Sequence, residues 1–192
     1  MKALTLDDLM PLSEYERRRA EIRAATVAHK RSRRIAVGPI LSFVFEDRET
    51  LRFQVLEMCR AERIDDPAKR QIELDVYNAL LPSESELSAT MFVELTSEDE
   101  LRHWLPKLPG VEHAVRIELG SLRAAGQAEG GRSKEDATSS VHYLRFPFSP
   151  EAIAALRSGH GAMMLVVDHP SYLASTELPP DVRASLARDL AP

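Results

Sequence analysis

Hydrophobic residues recur along this chain in two rhythms, and the places where one rhythm gives way to the other mark its elements. Leu41, Phe43 and Phe45 alternate with Ser42, Val44 and Glu46, the period of a strand. The period then lengthens. Asp47 is placed to cap a helix, because its carboxylate can accept a free backbone N–H two or three residues on. Leu51, Val55, Met58 and Cys59 form one apolar stripe along that helix, with Leu56 beside it and Phe53 and Ile64 on the far side. Apolar residues on two sides predict a helix covered by more than one neighbour. The stretch from Ile40 to Arg63 is therefore the element around which the rest is expected to assemble.

The remaining pattern fills in around it. Thr5 and Asp8 start a short turn that Pro11 ends. Ser13 and Glu16 make a capping box for a helix to about His29. Residues 34–37 form a short strand, and Gly38-Pro39 turns it back as a hairpin. Asp66-Pro67 opens a second long helix, whose expected buried face is Ile72, Val76, Ala79 and Leu80. A strand over 88–95 follows, then a short helix capped by Thr96 or Ser97. Val111, His113, Val115, Ile117 and Leu119 share one face of a strand over 111–119, and His142, Leu144, Phe146 and Phe148 one face of another over 140–148. Ser149 caps a helix over 150–157. Residues 162–167 are a fully apolar strand ending at Asp168-His169-Pro170, and Pro179-Pro180 starts a last helix. Hairpins and helices join the strands with no regular βαβ rhythm. The prediction is a single α+β domain over 1–192, a mainly antiparallel sheet packed by the long central helix and several flanking helices.

Composition narrows the function classes. The chain has 192 residues, enough to bury a substantial core, and a net charge of −5, which argues against general affinity for nucleic acid. The basic residues nevertheless gather in the segment 1–34, as Arg17, Arg18, Arg19, Arg23, Lys30, Arg31, Arg33 and Arg34. A run of this kind could grip RNA phosphates, but it lacks the aromatic residues on which bases stack, and a solvated helix is the simpler reading. Cys59 is the single cysteine, which excludes an internal disulfide, and its place on the helix stripe fits an inert core thiol. No apolar run reaches membrane-spanning length and no signal peptide is expected, so the anticipated compartment is the cytoplasm. The polar stretch 124–138, with Gly126, Gly130 and Gly131, reads as a mobile loop and lacks the lysine of a phosphate loop.

The candidate chemistry comes from polar residues in apolar phase. His113, His142 and His169 each take an apolar-phase position on a strand or strand end, and Glu62 falls in line with Leu51, Val55 and Met58. Buried polar groups need partners. Three imidazoles and a carboxylate, from Glu62 or Glu46, would together suit iron or zinc. The expected metal site is therefore His113, His142, His169 and Glu62. No ligand pair has a diagnostic short spacing, and no serine or cysteine is marked as a nucleophile. The same residues would serve a metal-dependent enzyme with Glu62 or Glu46 as general base.

The blocks LTLDDLMPLSEYE, GPILSFVFEDRETLRFQVLEMCRAERI, ELDVYNALLPSESELSATMFVEL, GVEHAV, VHYLRF and VVDHPSY, in that order, resemble a bacterial family known as domain of unknown function 3501. The family brings no activity to carry over. The resemblance implies a context: members are often encoded beside a rubrerythrin and an iron–sulfur oxidoreductase. It thereby implies an accessory protein of iron or peroxide redox metabolism that binds a metal or small ligand and has those two proteins as partners.

Overall fold

The computed structural model describes residues 1–130 and 138–190. In chain order its elements are α1 (Leu12–Lys30), β1 (Arg34–Val37), β2 (Leu41–Glu46), α2 (Arg48–Ala61), α3 (Pro67–Asn78), β3 (Glu86–Val93), α4 (Glu98–Trp104), β4 (Val115–Leu119), β5 (Leu122–Ala125), β6 (Gln127–Ala128), β7 (Val141–Pro147), α5 (Pro150–Ser158), β8 (Met163–His169), β9 (Tyr172–Glu177) and α6 (Pro180–Asp189). Short 3-10 turns, among them Leu6–Asp8 and Val111–His113, link some of them.

The expected α+β architecture is present, with the strands divided between two antiparallel sheets. One has the order β1-β2-β3-β7-β6 and the other β5-β4-β8-β9. Leu41, Phe43 and Phe45 from β2, Leu87, Ala89 and Met91 from β3, and Leu144 and Phe146 from β7 join Val115, Ile117, Leu165 and Val167 of the second sheet in one apolar core. The two sheets thus pack face to face. They approach at both margins. β5 runs into β6 at Gly126, where a side chain would meet the Val115 carbonyl at 3.0 Å and the Phe146 ring at 3.1 Å. At the other margin the Tyr172 hydroxyl of β9 donates to the Val37 carbonyl at 2.6 Å. Gly38, at φ +67°, lets the chain pass that hydroxyl. Helices α5 and α6 add Leu156, Val182 and Leu186 to the same core.

The central helix lies outside this core. Leu51, Val55 and Cys59 are buried as expected, but in a separate cluster with Tyr15, Leu74, Tyr77 and Leu81, between α1, α2 and α3. Asp47 caps α2 by accepting from the Thr50 N–H at 2.9 Å, and Asp66, Ser97 and Ser149 cap α3, α4 and α5. The Ser13–Glu16 box is not used, because α1 starts two residues earlier, with Pro11 and not Ser13 at its N-cap. The face of α3 is also not the expected one. Leu74 and Tyr77 are buried, while Ile72 and Val76 are 61% and 57% exposed. Arg33, 1% exposed, joins α1 to the sheet and to α6: it pairs with Asp47 and Asp189 and donates to the Phe45 carbonyl at 2.8 Å. Burial pushes the Asp189 carboxyl up, with Arg33 opposing the shift.

Of the stretch 124–138, Ala124 to Ala128 lies within β5 and β6 except for Gly126, and 131–137 fall outside the described residues. No helix among the described residues is long and apolar enough to cross a membrane.

Candidate functional site

The three histidines gather around one loop but do not share a centre. Gly110, in the left-handed region at φ +85°, starts the 3-10 turn Val111–His113, and β4 begins only at Val115. His113 therefore leaves the strand phase expected for it, and its side chain is 68% exposed. Its Nε2 lies 3.9 Å from Glu112 Oε1, and buried His142 presents Nδ1 to the same oxygen at 3.9 Å. On its other side His142 Nε2 lies 2.9 Å from the Ser139 carbonyl. His169, at the end of β8, is hydrogen-bonded on both nitrogens: Nδ1 accepts from the Ser171 N–H at 3.2 Å, so Nε2 donates to the Pro109 carbonyl at 3.1 Å. Glu62 belongs to the helical layer. α2 ends at Ala61 and Arg63 turns at φ 56°, so Glu62 is an exposed C-cap and not a continuation of the buried stripe. Among the described residues no group of three or more His, Cys, Asp or Glu side chains is placed to hold a metal ion. The set His113, His142, His169 and Glu62 is thus not assembled. Glu112 is the carboxylate that two of these histidines face.

Four of the basic residues in the segment 1–34 are held in ion pairs, while Arg17, Arg23 and Arg31 are exposed. Arg18 pairs with Glu14 and Glu21, Arg19 with Glu57, Arg34 with Glu94, and Arg33 is buried. Burial pushes the Cys59 thiol up, which fits an inert core position.

A different place concentrates buried polar chemistry. The outward face of the β2-β3-β7 sheet carries Glu46, Ser88 and Arg145 in one row, since Glu46 pairs with Ser88 and Ser88 with Arg145. Thr90 and Tyr143 pair in the next row. In a half-exposed sheet these positions would face water. Here α2 and the chain leaving α3 cover them, and Glu46, Ser88 and Thr90 are only 2%, 3% and 3% exposed. Glu46 accepts from the hydroxyls of Thr50 and Thr90, each at 2.5 Å, and from the Gln54 amide at 3.1 Å. It has no ion pair among the described residues. Arg145 donates to Glu86 and to the carbonyls of Ala79 and Leu81, tying the sheet to the C-terminal end of α3.

Beside this layer opens a cleft of about 240 Å³ between Ala79 and Leu80 on one side and Ser88, Tyr143 and Arg145 on the other, with Gln127 and Ala128 of β6 at its edge. Tyr77 from α3 packs close by. Burial, with the Glu73 and Glu46 carboxylates nearby, pushes its hydroxyl up, so it stays protonated and can donate or accept a hydrogen bond. The cleft has hydroxyls, an amide and an apolar floor, the lining of a small-molecule site. Of these residues the alternation identified only Glu46 as a candidate. Ser88, Thr90, Tyr143 and Arg145 sit at positions that sequence periodicity assigns to solvent.

The fold recurs in a solved structure. The crystal structure of a novel protein of unknown function from Burkholderia pseudomallei K96243 has a TM-score of 0.92 and 36% sequence identity, covering 99% of this chain and 100% of that one. No curated protein matches. The model of the family described as protein of unknown function (DUF3501) matches residues 3–190. Match and structural likeness both run nearly the length of the chain, which belongs to the DUF3501 family.

Proposed function

We propose that this protein is a small-ligand-binding accessory protein of the cytoplasm, and that its binding site is the cleft between the end of α3 and the outward face of β3 and β7. One observation carries the reading. Glu46, Ser88 and Thr90 are buried on the sheet face next to the cleft, where a purely structural helix–sheet contact would be apolar. The family resemblance adds a context in iron and peroxide metabolism beside rubrerythrin and an iron–sulfur oxidoreductase; the cleft adds a place for the ligand. This reading moves the binding site away from the histidines.

The test is native mass spectrometry of protein purified without denaturation, compared with Gln127→Trp, which shares the outward face with Arg145 and fills the edge of the cleft. The expected result is a bound small molecule on the unaltered protein and none on the variant, with circular dichroism unchanged. A ligand retained by Gln127→Trp, or no ligand on the unaltered protein under any growth condition, overturns the reading.

A further inference from the structure

Resting on the cleft reading, we infer that the ligand is a small organic cation, a primary or quaternary ammonium compound, drawn by the buried Glu46 carboxylate that lies one strand behind Ser88.

The charges around the cleft support this choice. Arg145 and Glu129 are the charged side chains in its lining, and the Arg145 guanidinium, cross-strand from Ser88, is already held by Glu86 and by the carbonyls of Ala79 and Leu81. An anionic ligand would have to compete with those partners. Glu46 is the reverse case. Its oxygens are held by two hydroxyls and an amide, all neutral, and no basic side chain pairs with it among the described residues. Neutral donors solvate a carboxylate without cancelling its charge. Ser88, its cross-strand neighbour, lines the cleft. Adjacent strands are roughly 5 Å apart, so a cation seated on Ser88 lies within strong Coulomb reach of Glu46 in this poorly hydrated layer. Tyr143 gives that wall an aromatic ring, the surface on which ammonium groups bind.

Isothermal titration calorimetry with 1,4-diaminobutane, 1,4-butanediol and succinate separates the possibilities, because the three probes match in length and differ in charge. Diaminobutane should bind the unaltered protein, lose at least about tenfold in affinity on Glu46→Gln, and lose all binding on Gln127→Trp. The diol and succinate should give no heat. Succinate binding in preference to diaminobutane, or equal affinity for diaminobutane in Glu46→Gln, overturns the inference. The ranking of the three probes on the unaltered protein decides the matter even if Glu46→Gln fails to fold. A co-purified ligand that is lost from Gln127→Trp, together with no binding of diaminobutane, overturns the charge inference and leaves the cleft reading standing.

Discussion

The two faces of β3 meet different neighbours. Its inward residues Leu87, Ala89, Met91 and Val93 join a core closed by the second sheet, apolar through its middle with buried His142 and Glu112 at its margin. Its outward residues Ser88 and Thr90 are just as buried, yet they meet a carboxylate, hydroxyls and an amide. Equal burial therefore hides unequal chemistry. The inward face needs only shape and hydrophobicity, which many side chains supply. The outward face must satisfy each polar atom with a specific partner, and such layers are costly when one partner is removed. A fold that needed only stability could have made both faces apolar. The proposed binding cleft lies beside the outward face.

The largest loss of stability is expected on the inward face. Phe146 is fully buried and its ring centroid lies 6.2 Å from that of Phe45. Phe146→Ala should lower stability by about 3–5 kcal/mol in urea denaturation, the usual cost of an aromatic cavity. A loss no larger than that of the polar-layer variants would mean that the sheet-to-sheet core is not the main source of stability.

The polar layer should respond by a different rule. Glu46→Met leaves the Thr90 hydroxyl and the Gln54 amide without their acceptor, while Thr50 keeps the Asp47 carbonyl at 3.0 Å, and should lower stability by about 2–3 kcal/mol. Adding Thr90→Val removes one orphaned hydroxyl, so the double variant should be no less stable than Glu46→Met alone. Additive losses in a double-mutant cycle would show that the two side chains do not act as one network. If the layer is kept for binding, the double variant stays folded and loses the ligand.

These contrasts explain how much could be read from the chain. The alternation of Leu41, Phe43 and Phe45 and the capping residues Asp47, Asp66, Ser97 and Ser149 are local chemistry, and they appear where the pattern puts them. α3 carries apolar residues on two sides, and periodicity alone could not say that Leu74 and Tyr77 rather than Ile72 and Val76 face α2. His113 misses its strand because Gly110 inserts a 3-10 turn first, and Glu62 misses the stripe because α2 ends one residue before it. Polar residues in apolar phase mark His142 and His169, both buried, but that criterion passes over the opposite face of β3 and β7. Ser88 and Thr90 read as solvent-facing until α2 and the chain after α3 are laid over them, and that covering is a tertiary fact.

The last comparison sets the buried carboxylate against a carboxylate on the outer side of the same helix. Glu57 accepts from the Tyr15 hydroxyl at 2.5 Å and takes two bonds from Arg19 at 2.8 Å, joining α2 to α1. The Arg19 hydrogen bonds, aided by Tyr15, hold its carboxyl at about 2, well below its ordinary 4.5. A depressed folded-state value contributes stability that is complete above the unfolded value and is lost as pH falls through the folded one. Glu57→Gln should therefore lower stability most at neutral pH, and the gap from the unaltered protein should close as pH falls from about 4.5 towards about 2. Water reaches both partners and screens the pair, so the effect at pH 7 should be a fraction of that of Glu46→Met. Urea titrations at a series of pH values measure it. A gap that widens on acidification would mean that the clamp does not favour the charged form, and a gap at pH 7 as large as that of Glu46→Met would mean that burial does not separate the two carboxylates.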